Sequence, residues 1–361
     1  MNTTNSLINS KQLASKYRFS LDKEEACQVI DPFAYKDILN NLYQQNMLIN
    51  KELTPIIYKS IEKVCQKLET PIESIKAFID NSEVIQASCM VTGTDETILK
   101  MSSKLINLLD EQELEFVIGH EIGHFLLNHG HVEHHGEDNK IEFQDQMNSR
   151  YQEISSDRIG LLACGSIKKA ISAMLKLITG LDDNHLRFDI SAFISQSNDT
   201  DNLYSQQSMI SSHPSNLVRC RALLWFSMEK TSDLNSLDDS VKKKEIDNRI
   251  EDDFKKYIDG PIIKVMQEVK ENFKLWMAVK EIIKDGIFDK NEQKIFERMF
   301  GRHQQTKIID FFKAYKNSEI AEIINRNYEN SKEDLILHHP RNHDLIIKEV
   351  KDDIHAEFKK L

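Results

Sequence analysis

Two histidines four residues apart, His120 and His124, with Glu121 directly after the first, constrain this chain more than any other feature in it. On an α-helix, residues i and i+4 stand one above the other on a single face. Two imidazoles placed that way can share one zinc ion at about 2.0–2.1 Å each. The carboxylate next to the first histidine reaches the metal's neighbourhood without ligating it, and can take a proton from a bound water. The surrounding sequence predicts the helix this requires. Asp110 can act as N-cap with Glu113 closing a capping box, and Leu109 and Leu114 form a hydrophobic staple. The helix should run through Phe116, Val117, His120, His124 and Leu127 and stop at Asn128-His129-Gly130. Gly119 and Gly123 lie inside it, each costing about 1 kcal/mol against alanine. They make sense if another element must approach the helix closely.

A catalytic zinc needs a third protein ligand and an open position. A glycine three residues and a histidine six residues beyond the second histidine would supply one common pattern, but Leu127 and Gly130 occupy those places. His129, His131, His134 and His135 follow too soon after the helix, and His129–Asn148 reads as a solvated loop. Glu153 fits better. It lies with Asp157 in the helical stretch Tyr151–Arg158, again i and i+4 on one face. The first can ligate zinc, and the second can hold a ligand histidine by a hydrogen bond.

HEIGH, EISSDRIG and the segment Ser212-His213-Pro214-Ser215-Asn216-Leu217-Val218-Arg219, in that order, resemble the HExxH, ExxxD and HP…R elements of HtpX and CAAX-prenyl-endopeptidase-type zinc metallopeptidases, a gluzincin family. Ile85-Gln86-Ala87-Ser88, then Thr97–Ser102 and Leu108–Leu114, resemble that family's edge strand, hairpin and entry to the metal helix. The likeness covers about residues 50–226. It implies a mainly α (α+β) protein, with a zincin-like peptidase domain containing a small antiparallel sheet. It implies one Zn2+ per chain on His120, His124 and Glu153, with Glu121 as general base and acid. Asp157 would orient a ligand histidine, His213 would lie near the active site, and Arg219 would brace that segment. Ile85, Gln86, Ala87 and Ser88 would pair with an extended substrate strand, which suits flexible protein substrates and a role in protein quality control. Two departures stand out: the best-known members carry transmembrane helices, and their edge strand has Asn where this chain has Gln86.

The rest of the chain sets the frame. Its 361 residues suggest two or more domains. Glycine and proline are scarce, 11 and 6, which favours helices. The net charge of −11 argues against nucleic acid as a partner. Five cysteines, Cys27, Cys65, Cys89, Cys164 and Cys220, are widely spaced and form no CxxC, which suits a reducing compartment. No apolar start resembles a secretory signal and no run is long enough to span a bilayer, so the chain reads as cytoplasmic. Residues 1–50 read as an N-terminal extension with a disordered start, 51–230 as the peptidase domain, 231–260 as a charged linker and 261–361 as a helical domain. Within that last part, Asp285-Gly286 with Glu292 resembles the DGxxxxxE element of TerB-like helical domains. A calcium loop would need alternate oxygen ligands, which Ile287 and Phe288 interrupt; a plain helical hairpin also fits.

The sequence therefore predicts a zinc endopeptidase acting on protein or peptide substrates, with the C-terminal helices offering a surface for a protein partner. An exopeptidase has the same chemistry but no visible motif for a substrate terminus. The alternative from another class is a latent or inert metal-stabilised chaperone or adaptor, against which the intact Glu121 argues.

Overall fold

The computed structural model describes residues 3–24, 29–92, 94–129, 143–195, 214–229, 240–282, 288–315, 317–339 and 342–358. They form two compact units, residues 3–129 with 145–258, and residues from Asp259 onward. The chain is mainly helical.

In the first unit the elements are α1 (Thr3–Ser15), α2 (Pro32–Gln45), β1 (Met47–Leu48), α3 (Pro55–Lys67), β2 (Ile75–Asp80), β3 (Ala87–Val91), β4 (Thr97–Ser102), α4 (Ser103–Leu108), α5 (Glu111–Leu126), α6 (Phe143–Cys164), α7 (Ile167–Thr179), α8 (Ile190–Ser195), α9 (Asn216–Glu229) and α10 (Ser240–Phe254). The strand order is β1-β2-β4-β3. β3 and β4 form the expected antiparallel pair, but β2 runs parallel to β4, so the sheet is mixed rather than wholly antiparallel. Local alternation specifies strands, not their order. Here the chain passes β4's place, forms β3 on the outside, and turns back so that β4 fills the centre, where almost every β4 side chain is buried.

Helix α5 carries His120, Glu121 and His124. Its capping box forms as the sequence implies: the Glu113 amide donates to Asp110 Oδ1 and the Asp110 amide to Glu113 Oε2. It ends where Asn128 takes φ 59°, a left-handed conformation asparagine tolerates. α1, α3, α7 and β3 all touch it.

Two expectations for the flanks need correction. The N-terminal segment is not a disordered extension: Leu7, Ala14, Tyr17 and Phe19 are buried in this unit. The backbone amide of Phe19 donates to Ser155 Oγ, and Arg158 donates to the Tyr17 carbonyl. The charged stretch before residue 260 is not only a linker. α10 buries Ile246, Ile250 and Phe254 against Phe19, Tyr151 and Val218, and its Asp247 meets buried Arg158 at 2.5 Å. Charge density suggested a tether, but the apolar residues of α10 recur at helical spacing within that charge.

The second unit contains α11 (Gly260–Ile282), α12 (Lys290–Ala314), α13 (Asn317–His338) and α14 (His343–Phe358). Phe273, Phe296, Ile324, Leu335, Val350 and Ile354 form its core. Asp285 and Gly286 lie outside the described residues. Glu292 is the third residue of α12, where it completes a capping box with Asp289, so a local helix-start role accounts for the carboxylate singled out in the sequence.

Candidate metal centre

The site is built where α5 and α6 almost touch. A Cβ at Gly119 would lie 2.3 Å from the Ala163 Cβ, and one at Gly123 3.0 Å from the Ile159 Cβ. From the other side, a Cβ at Gly160 would meet the Phe116 carbonyl oxygen at 2.7 Å. The glycines of the HExxH helix are thus explained by α6, the element that carries Glu153 and Asp157.

This approach brings together His120, His124 and Glu153. His120 Nε2 and His124 Nε2 are 3.2 Å apart. Glu153 places one carboxylate oxygen 3.5 Å from His120 Nε2 and the other 3.4 Å from His124 Nε2. Ligands about 2.0–2.1 Å from a tetrahedral zinc lie roughly 3.3–3.4 Å from one another. The three separations are of that size, the two to Glu153 ending on different carboxylate oxygens, and the two-imidazole, one-carboxylate donor set suits zinc.

The outer groups fix which ring nitrogens face inward. His120 Nδ1 lies 2.9 Å from Asp157 Oδ1. A carboxylate can only accept, so Nδ1 carries the proton and Nε2 presents a lone pair. Arg219 grips Asp157 through two bonds of 2.8 and 2.6 Å, and its Nη1 lies 3.3 Å from Glu153 Oε2. Burial works to raise the Asp157 pKa, but the Arg219 charge outweighs it and holds the carboxyl below its ordinary range. Arg219 therefore braces the carboxylates directly.

On the other histidine, burial opposes a positive charge, yet the Glu153 carboxylate wins and raises the His124 pKa. His124 Nδ1 faces His129 Nδ1 at 3.1 Å. His129 is buried rather than part of a solvated loop, and burial takes its pKa down to about 4. Its other nitrogen lies 3.0 Å from Asp22 Oδ2. Sequence reasoning missed both residues. Spacing from His124 ruled out His129 as a ligand on the same face, but a partner for the outward nitrogen of His124 needs only to reach the ring from behind. Asp22 carried no local signal, because its role depends on the N-terminal segment folding against α6.

Glu121 is half-exposed at the turn between the two histidines. Burial, with the Glu121 charge added, pushes the nearby Cys89 thiol up to about 12, which keeps it protonated. Cys89 is on β3, the edge strand beside α5. Ala87 and Ser88 lie in that strand and Ile85 and Gln86 just before it, with the Gln86 carbonyl accepting from the Ser102 amide. The side chains of Gln86 and Ser88 are exposed. His213, His131, His134 and His135 lie outside the described residues.

The sequence profile described as "Peptidase family M48" matches residues 52–141 and 138–225. Among curated proteins and among solved structures, nothing matches the chain.

Proposed function

The chain belongs to peptidase family M48, a family of metallopeptidases, and from that premise we propose that it is a zinc-dependent endopeptidase of protein substrates, acting in the cytoplasm. The observation that carries the zinc assignment is the cluster of His120, His124 and Glu153, in which the two Nε2 atoms are 3.2 Å apart and each faces a Glu153 carboxylate oxygen at 3.4–3.5 Å, a spacing that suits one tetrahedral ion. Among the described residues no helix is long and apolar enough to cross a membrane, so nothing there confines the site to a lipid-embedded substrate.

A zinc ion held there supplies a Lewis acid and lowers the pKa of its water toward 7. The chain's own residues do the rest. Glu121 accepts the proton of the attacking water and returns it to the leaving amine nitrogen. The open edge of β3, from Ile85 to Ser88, pairs with the main chain of an extended substrate and presents its scissile carbonyl beside α5. That pairing reads backbone rather than side chains, so unfolded or flexible protein segments are the favoured class. His213 donates to the developing oxyanion.

The test is cleavage of a mixed library of unstructured peptides by zinc-loaded protein, with Glu121→Gln alongside. Wild type should cleave, and Glu121→Gln should lose about 10²–10⁴-fold while still binding zinc one to one. Equal cleavage by both would remove Glu121 from the mechanism. Zinc binding with no cleavage by either would favour a latent enzyme or an adaptor.

A further inference from the structure

Resting on the zinc-peptidase reading, we propose that the N-terminal segment completes the metal centre: Asp22, acting through His129, sets the tautomer and orientation of the ligand His124. The Asp22 carboxylate only accepts, so His129 Nε2, 3.0 Å away, must carry a hydrogen. A neutral imidazole has one such hydrogen, so His129 Nδ1 is an acceptor. It faces His124 Nδ1 at 3.1 Å, and His124 must therefore donate through Nδ1. In the neutral form that a metal ligand must take, His124 Nε2 then presents a lone pair directed at His120 and Glu153. A ring with its proton on the other nitrogen would put a hydrogen where the ion belongs.

Asp22 is itself held. Ser155 Oγ donates to Oδ2 at 2.6 Å, and Arg18 meets Oδ1 at 3.2 Å. Arg18 also donates to the carbonyl of Leu127 at the end of the metal helix. Ser156 Oγ lies 3.3 Å from His129 Nδ1, where its hydroxyl can donate to the accepting nitrogen. The arrangement mirrors the other histidine, where Arg219 holds Asp157 and Asp157 holds His120. The difference lies in origin. Asp157 belongs to the matched family region, whereas Asp22 lies on a segment outside it. His129 and Asp22 are positioning residues: they touch neither substrate nor ion, and they act through His124.

The experiment is zinc affinity by competition with a fluorescent chelator, using the full chain. Asp22→Ala and His129→Phe should each bind zinc about 10–100-fold more weakly. His129→Gln offers one acceptor and one donor at matching places and should recover affinity to within a few-fold of wild type. Ser172→Ala, which removes a bond to Glu113 at the far end of α5, should leave zinc affinity unchanged even if the fold is weakened. A second measurement needs no variant. Long-range ¹H–¹⁵N spectra of the zinc-loaded wild type should show a solvent-protected proton on His124 Nδ1. The proposal is overturned if that proton is absent, if Asp22→Ala and His129→Phe bind zinc like wild type, or if His129→Gln is no better than His129→Phe. Its failure is separable from failure of the peptidase reading: wild type that binds zinc and cleaves peptides, with unaffected Asp22→Ala, loses only the relay.

Discussion

The two units handle charge in opposite ways. The first buries Arg150, Arg158, Lys176, Glu113, Glu153, Asp157, Asp247 and Asp22. In the second, apart from Asp259 at its boundary, no charged side chain is buried among the described residues. Its ion pairs, Lys270–Glu349, Lys274–Asp353, Lys280–Glu329 and Arg298–Glu357, stand at the surface over an aromatic and aliphatic core. Desolvating a charge costs several kcal/mol per ion, and its partner returns that only with good geometry. A fold that needed stability alone would resemble the second unit. In the first, buried charges join α1, α5, α6, α9 and α10 around the cluster of His120, His124 and Glu153, and several of them either touch these three side chains or hold what touches them.

The comparison is tested hardest by removing one member of a pair in each unit. Arg158 and Asp247 have side chains 2% exposed, whereas Lys274 and Asp353 are 24% and 65% exposed. Asp247→Ala leaves the Arg158 guanidinium buried and uncompensated, and should cost the first unit about 3–5 kcal/mol. Lys274→Ala should cost the second unit about 0–1 kcal/mol. Hydrogen exchange reads the two regions separately. Similar losses of protection in both would break the contrast.

A smaller effect is expected where the first unit depends on shape. In Gly119→Ala the new Cβ would lie 2.3 Å from the Cβ of Ala163. Both atoms are fixed to helical backbone, so α5 and α6 must part. Overpacking of this kind costs about 1–3 kcal/mol. Because α6 carries Glu153 and Asp157, zinc affinity should fall together with stability. A destabilised variant with unchanged zinc affinity would show that the contact is structural only.

What the sequence disclosed divides along the same line. The HExxH spacing, the capping box of α5, the glycines and the ExxxD pair are local patterns, and local patterns survive translation into structure. Glu153 and Asp157 reach the histidines because helical periodicity placed both on one face of α6. The N-terminal segment, α10 and His129 are not legible locally because polar composition hides sparse apolar positions, and because their partners are distant in the chain. Asp22 and His129 are 107 residues apart, and Arg158 and Asp247 are 89 apart. No window of local sequence contains both ends of such a bond. The parallel pairing of β2 with β4 is hidden for the same reason, since alternation in β2, β3 and β4 is indifferent to which strand is central.

The smallest expected effect concerns a charge in the first unit that is only partly buried. Asp110 caps α5 at the end away from His120 and His124, and its side chain is 38% exposed. Burial tends to raise its pKa, but the hydrogen bond from Lys169 prevails and the carboxyl sits below its ordinary value. A depressed folded pKa contributes stability above the unfolded value of about 3.9, and that stability is lost as pH falls through the folded value. Asp110→Asn keeps a good capping side chain and removes the charge, so at pH 7 it should cost only about 0.3–1 kcal/mol, the scale of a charge at a helix terminus. The gap between wild type and variant in chemical denaturation should stay constant from pH 7 to about 5, begin to close near pH 4, and vanish once the folded carboxyl is protonated. A gap that persists at low pH would mean that shape, not charge, distinguishes the two side chains. Closure on schedule would show that exposed charge in the first unit behaves like the surface pairs of the second, and that burial, not membership of a unit, makes its ion pairs expensive to break.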